Sequence, residues 1–562
     1  MNKDINRRRF IKNTAVFGTS AFLLGSNTYA CKEDKAIEIT DIDSAKRRHV
    51  LSIVNSSTKV LPDDILGNSN SVTLAGASNE VESFQIVIRS TEAIDEVKVE
   101  MEHLKNGVHQ ISGLRWRQVG YVYVSTFDGH PNVQDVAGLL PGWYPDPLLE
   151  RDSVKVLQNT SNVIWVDCPI PKGTAPGVYV GEIRVHIGKV VERVTVSMEV
   201  FGFELPDRST LPTLFSLSLE FLDSVYPNFD RLLRSKWFNF IAENRLAPTD
   251  MYINLSSEEA KLKISSEEYA LYINNLNGFV LYPITSTWED RNASAEELIA
   301  RFESNRPYID TMIRMGYVEK GNGVFYGFDE NDTSHFETMK EVHKHIKSVY
   351  PTIPIATTSM HINSVELLED LEIDILVLHI TDGIYTNRFA DQVRATGRKV
   401  WGYISLQPYH PMPNWRIENP FLDSRVLLSA MAYHQRFDGF LYWGLNQYNK
   451  IGWKYPNTLA KNTNLKLNLS ITTPTDEYKW LHGDGILLYP GEDGPISSIR
   501  MENIRKGLEE YEYYCLLEKK FGKAEAHSWA TRIAPSMEQF SDNTQQYLHV
   551  KKQIADRLMN GS

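Results

Sequence analysis

Val324-Phe325-Tyr326-Gly327-Phe328-Asp329-Glu330 is an apolar, β-prone run that ends abruptly in two adjacent carboxylates. Buried parallel strands read as continuous apolar runs, and in an α/β barrel the functional side chains gather at the C-terminal ends of the strands. The run therefore reads as a barrel strand carrying a polariser and a proton donor at its mouth. Successive strand residues point to opposite faces, so both acids reach one pocket only if the strand is already ending at Glu330. Two close carboxylates oppose each other's ionisation, which keeps one protonated near neutral pH and fit to act as a general acid. Gly327 is expected to face inward and leave room for a ligand. The blander reading makes Glu330 the start or cap of the next helix and Asp329 a turn residue.

Around this run the chain alternates short apolar strands with helix-length amphipathic segments. Strands are expected at Thr213–Leu219, Pro248–Ile253, Phe279–Tyr282, Val324–Asp329, Pro354–Thr358, Ile375–His379, Lys399–Ser405 and Gly439–Leu445. Eight such units predict an α/β domain of the (β/α)8 TIM-barrel type over residues 206–522. Past residue 465 the sequence offers a strand-like Gly485–Tyr489, a helix ending near Gly522 and a C-terminal helical extension over 523–562.

Before the barrel, residues 36–205 follow a period of two. Val97, Val99 and Met101 alternate with Lys98 and Glu100; Ile183, Val185 and Ile187 with Arg184 and His186; Val194, Val196, Met198 and Val200 with Thr195, Ser197 and Glu199. Strands with one buried and one wet face predict an all-β sandwich, so the chain is multidomain. Its 562 residues exceed what one core accommodates.

The first 31 residues read as an export and lipoprotein signal. Arg7-Arg8-Arg9-Phe10-Ile11-Lys12 resembles a twin-arginine motif, and the apolar stretch Thr14–Gly25 is too short to span a membrane. Thr28-Tyr29-Ala30-Cys31 resembles a lipoprotein cleavage box, with Thr28 in place of the usual leucine. An exported protein is expected, periplasmic or held at the outer membrane by a lipid on Cys31, which would be its sole membrane contact. With 59 Lys and Arg against 71 Asp and Glu, a net charge of −12 argues against nucleic acid as a partner. The two other cysteines, Cys168 and Cys515, have no metal-ligand spacing. Cys515 continues the helical series Met501, Ile504, Leu508, Tyr511 and is expected in a core face. His343-Lys344-His345 lies in a polar helical stretch and is expected at the surface. No metal and no cofactor is expected.

Aromatic residues make up 11% of the chain, with 27 Tyr and 11 Trp, a composition suited to stacking on sugar rings and equally to large cores. Trp401-Gly402-Tyr403-Ile404-Ser405 and Gly439-Phe440-Leu441-Tyr442-Trp443-Gly444-Leu445-Asn446 place polar aromatics at two further strand ends. Together with Pro413–Pro420, Gly483–Gly491, Ser498-Ile499-Arg500 and Arg505–Tyr513, these segments and the Asp329-Glu330 strand resemble glycoside hydrolase family 123, over nearly the whole chain past the leader.

The resemblance implies a retaining exo-β-N-acetylgalactosaminidase working by substrate assistance, without an enzyme nucleophile. The sugar's own acetamido oxygen attacks the anomeric carbon. Asp329 then orients the acetamido nitrogen, and Glu330 serves as acid and then base. It also implies terminal β-linked N-acetylgalactosamine on glycosphingolipid-type glycans as substrate. Trp443 is the expected ring platform, with Asn446, Tyr403, His379, Trp415 and Tyr442 as further substrate contacts from strand-end position. Two other readings stand beside it: a non-catalytic glycan-binding lipoprotein, and a glycosidase of other sugar specificity that uses a further acid such as Asp382 as nucleophile or base.

Overall fold

The structure, a computed structural model, describes residues 48–124, 136–255, 277–287, 289–381, 384–447, 466–467 and 482–561. The expectations placed on the leader, Cys31 and Asp382 lie outside these residues.

Two packed β-sheets make the N-terminal region. One runs His49–Asn55, Glu80–Ser90, Ser161–Ile170, Arg115–Val124, with Gly142–Leu149 also paired to the last of these. The other is built on Ser71–Ser78, Val190–Glu204, Gly177–Ile187, Ile94–Met101 and Val154–Val156. Between them Ile86, Ile88, Ile164 and Val166 meet Ile183, Val185, Val194 and Val196 in one core, as the period of two predicts. The first sheet departs from that pattern because it has no wet face. Val87, Val119, Val163 and Trp165 on its far side bury against Phe421 and Ile499 of the domain that follows.

That domain carries eight parallel strands: β1 Thr213–Ser216, β2 Pro248–Thr249, β3 Phe279–Pro283, β4 Gly323–Tyr326, β5 Ile355–Thr358, β6 Ile375–His379, β7 Lys399–Ile404 and β8 Phe440–Tyr442. They pair in the order β2-β1-β8-β7-β6-β5-β4-β3, a nearly closed barrel. At the seam, where β2 and β3 share no backbone pairing, the Val280 amide donates to Thr249 Oγ1 at 3.0 Å. Leu214, Val280, Val324, Tyr326, Ala356, Ile375, Val377, Trp401, Tyr403 and Leu441 fill the interior in one cluster.

Helices follow the strands: α1 Leu219–Val225, α2 Arg231–Glu243, α3 Ala295–Arg314, α4 Phe336–Val349, α5 Val365–Asp370, α6 Asn387–Ala395, α7 Phe421–Val426 and α8 Ala432–Gln435. Ser218, Asp230, Ser294, Ser364 and Thr386 each cap a helix by accepting a backbone N–H of its first turn, at about 1 kcal/mol apiece. His343, expected at the surface, is instead buried in α4, where it shares a hydrogen bond with the Leu371 carbonyl and packs edge-on against Phe328. The expected strand Gly485–Tyr489 is reduced to an isolated bridge from Ile486 to Asn446 and a two-residue pairing at Tyr489–Pro490.

The C-terminal helices are α9 Ile499–Phe521, α10 Lys523–Thr531 and α11 Thr544–Asn560. α9 is buried almost all round, beneath the sandwich. Its charges are therefore paired: Arg500 grips Asp146 through two bonds of 2.9 and 2.8 Å, Glu502 meets Arg117, and Lys506 together with Lys551 of α11 holds Glu80 and Glu82. Cys515 is half-buried beside this core and Cys168 lies inside the sandwich, both as free thiols.

Candidate active site

The two acids follow β4 in a turn of unusual backbone. Phe328 and Glu330 have φ of 52° and 46°, so left-handed residues flank Asp329 on both sides. This breaks the strand alternation and lets neighbouring carboxylates emerge together, which a continuing strand forbids. Each left-handed non-glycine residue costs about 1–2 kcal/mol, and the surroundings hold both in place. The Phe328 amide donates to Thr285 Oγ1 at 2.8 Å and the Glu330 amide to Thr358 Oγ1 at 2.8 Å. Arg291, buried in the turn after β3, donates to the carbonyls of Asp329 and Glu330 at 2.9 and 2.8 Å. The buried Asn331 amide donates to the carbonyls of Phe328 and Thr358 at 2.8 and 2.9 Å.

Gly327 does not open a ligand space as expected. A Cβ there would lie 2.6 Å from Ile284 Cβ and 3.0 Å from the Thr285 nitrogen, so the glycine serves the close approach of the segment after β3.

The carboxylates are dressed differently. Three hydroxyls converge on Asp329: Tyr326 at 2.7 Å and Thr358 on Oδ1, and Tyr252 at 3.2 Å on Oδ2. An ionised carboxylate, acceptor at both oxygens, satisfies all three. Burial and the Asp329 charge push the Tyr252 and Tyr326 phenols well above their ordinary range, so they stay donors. Glu330 accepts one phenol, Tyr403, at 3.1 Å. Its pKa is raised, first by burial and then by Asp329, against the opposing Tyr403 bond and Arg291 charge. One acid is thus surrounded by donors, and the other is biased toward holding its proton.

The remaining expected contacts divide into two groups. Tyr403 bonds Glu330, whereas His379 is buried against the Tyr403 ring, edge-on at 4.7 Å, with its Nδ1 accepting the Thr381 amide. Burial lowers its pKa to about 4, against a bond to the Gln407 backbone, so the imidazole is neutral. Trp443 is half-buried just past the end of β8, packed against the core outside the barrel interior. Its indole donates to Asp484 at 3.0 Å.

Trp415, Tyr442 and Asn446 are corrections to the expected contacts. Trp415 is fully buried among Phe215, Phe440 and Tyr442, outside the barrel interior. Tyr442 shares the outward parity of Phe440 and bonds Asp484 at 3.0 Å. Asn446 is buried with both ends of its amide on the Ser218 backbone, each at 2.9 Å. Strand-end position suggested all three, but strand parity or local pairing turns them away from the mouth.

Sequence reasoning missed Tyr252, Tyr326, Thr358, Arg291 and Asp484. Tyr326 was within reach, since it shares the inward parity of Val324 on the strand that ends in the acids. Among the described residues no group of three or more His, Cys, Asp or Glu side chains is arranged to hold a metal ion.

The family model of the glycoside hydrolase 123 catalytic domain matches residues 291–517, and that of the glycoside hydrolase 123 N-terminal domain matches residues 58–187. Among solved structures, a family 123 glycoside hydrolase from Clostridium perfringens, studied for glycolipid glycan hydrolysis, aligns with a TM-score of 0.65 at 14% identity, covering 91% of this chain and 98% of its own. A family 10 xylanase with a bacterial Ig-like domain, from termite gut, aligns at 0.30 and 11% identity over 62% of this chain and 90% of its own, too weakly to carry an argument. No curated protein matches the sequence.

Proposed function

The chain belongs to glycoside hydrolase family 123, and from that premise we propose that it releases terminal β-linked N-acetylgalactosamine from glycolipid-type glycans with retention, the substrate's acetamido group acting as nucleophile. The observation that carries this reading is the unequal dressing of two adjacent acids. A retaining enzyme with its own nucleophile needs carboxyls about 5–5.5 Å apart flanking the bond on opposite sides of the sugar. Neighbours in one tight turn suit a division of labour on a single side.

In the first step the acetamido carbonyl oxygen attacks the anomeric carbon and the glycosidic C–O bond breaks. Glu330 gives its proton to the departing oxygen, and Asp329 accepts the acetamido N–H as positive charge builds on the oxazoline. In the second step water attacks the anomeric carbon, the oxazoline C–O bond opens and Glu330 takes the water's proton. A raised pKa suits Glu330 to the first of these roles. Tyr252, Tyr326 and Thr358 orient Asp329, and Tyr403 orients Glu330.

We read the nearly closed parallel sheet as a (β/α)8 barrel, with Trp443 as the platform for the sugar ring. The leader supports export with a lipid on Cys31. A series of N-acyl substrates with zero to three fluorines on the acetyl group tests the mechanism. Fluorine weakens the carbonyl oxygen as a nucleophile, so kcat/KM should fall steeply along the series; an unchanged rate would overturn substrate assistance and direct attention to a separate enzyme nucleophile.

A further inference from the structure

We propose that Thr358 is a positioning residue that holds both acids in register through a single hydroxyl. It is the last residue of β5, fully buried, on the strand paired with β4. A threonine hydroxyl has one proton to donate and lone pairs to accept with. The Glu330 backbone N–H can only donate, and it points to Thr358 Oγ1 at 2.8 Å. The hydroxyl proton therefore goes to Asp329 Oδ1, where it joins the Tyr326 phenol. One oxygen thus ties the backbone of the proton donor to the head group of its partner.

The neighbouring side chain completes the attachment. Thr357 donates to the Gly327 carbonyl at 2.7 Å and accepts from Asn331 Nδ2 at 3.2 Å, fixing the other side of the turn. Both residues are β-branched and stiff at χ1, so β5 presents two hydroxyls in fixed directions to a turn with two left-handed residues. The strain at Phe328 and Glu330 then places the acids, and Thr358 sets where they stop.

This inference rests on the roles given above to Asp329 and Glu330, and its test separates the two ideas. Thr358→Val keeps the shape and removes both bonds, while Thr358→Ser keeps the hydroxyl; Thr358→Ala replaces Thr358→Val if that protein does not fold. Each is assayed in the full chain on the nitrophenyl β-glycoside of N-acetylgalactosamine and on the dinitrophenyl glycoside, whose leaving group needs no acid, beside Asp329→Asn and Glu330→Gln. Losing a charge-assisted donor predicts a kcat lower by roughly 10- to 100-fold with KM within about threefold. Part of the loss should persist on the dinitrophenyl substrate through Asp329, and Thr358→Ser should recover most of the activity. A folded Thr358→Val or Thr358→Ala protein with parental kcat, or a Thr358→Ser protein as impaired as these, would overturn the inference, provided the two acid variants are inactive on the mononitrophenyl glycoside. Acid variants active on that glycoside would instead overturn the roles on which it stands.

Discussion

Arg291→Met removes the cation that clasps the turn carrying both acids. Arg291 donates to two consecutive carbonyls at 2.9 and 2.8 Å from a buried position. Hydrogen bonds from a charged donor contribute about 1.5–3 kcal/mol each, so their loss weakens the turn by about 3 kcal/mol even at the lower figure. The left-handed Glu330 adds about 1–2 kcal/mol of strain that is then less firmly opposed. Such a turn relaxes locally before the domain unfolds, so the damage falls on the placement of the carboxylates more than on the melting temperature. A displacement of about 1 Å at reacting groups costs about 100-fold in rate, and kcat/KM should fall by about that factor. The Arg291 charge also holds down the raised pKa of Glu330. Without it the carboxylic acid keeps its proton to higher pH, and the basic limb of kcat/KM against pH moves upward. Both bonds come from one nitrogen, Nη1, so Arg291→Lys, which keeps a charged donor on a shorter side chain, should lie between parent and Arg291→Met in rate and leave the limb nearly in place. A folded Arg291→Met enzyme within threefold of the parent at every pH would refute this account of the turn.

Asp484→Asn and Gly485→Ala should both raise KM more than they lower kcat, because the carboxylate anchors the Trp443 indole and a Cβ on Gly485 would meet that ring at 2.5 Å. Burial pushes the Asp484 carboxyl up to about 6, against its bonds to Trp443 and Tyr442, so the parent's KM should rise as pH falls through about 6 while that of Asp484→Asn stays flat. Gly327→Ala forces a Cβ to within 2.6 Å of Ile284 and should cost about 1–3 kcal/mol of stability, read from urea melts. Lys506→Met leaves Lys551 to neutralise both Glu80 and Glu82, a loss of about 3–5 kcal/mol that a thermal melt would register. Burial would raise the Glu80 carboxyl, but the Lys506 and Lys551 ammoniums outweigh it and hold it well below the usual range. Its contribution is therefore present above the unfolded value of about 4.3 and is lost as pH falls further, so parent and Lys506→Met stabilities should converge in acid.

Much of the scaffold was legible because buried parallel strands must be apolar. Ile375–His379 occupies the span its sequence predicts, and the alternation of Ile183 to Ile187 reports one face of the sandwich. The first sheet of that sandwich was misread as half wet, because the continuous run Val163-Ile164-Trp165-Val166 is buried on both sides. The acids stood out as charges ending an apolar strand. The turn that brings them together did not, since Phe328 and Glu330 are not residues that announce a left-handed backbone. Tyr252, Thr358 and Arg291 come from three other strand ends, and nothing in their local sequence marks a convergence on Asp329 and Glu330. Trp415 and Asn446 had the right residue types and the wrong directions, which only packing decides.

Hydrolysis of matched nitrophenyl β-glycosides of N-acetylgalactosamine, N-acetylglucosamine and galactose tests the central claim most directly, using the chain without its first 31 residues beside Asp329→Asn and Glu330→Gln. Cleavage of the N-acetylgalactosaminide, none of the galactoside, and near-complete loss in both variants is the predicted result. Comparable cleavage of the galactoside, which carries no acetamido group, would contradict it.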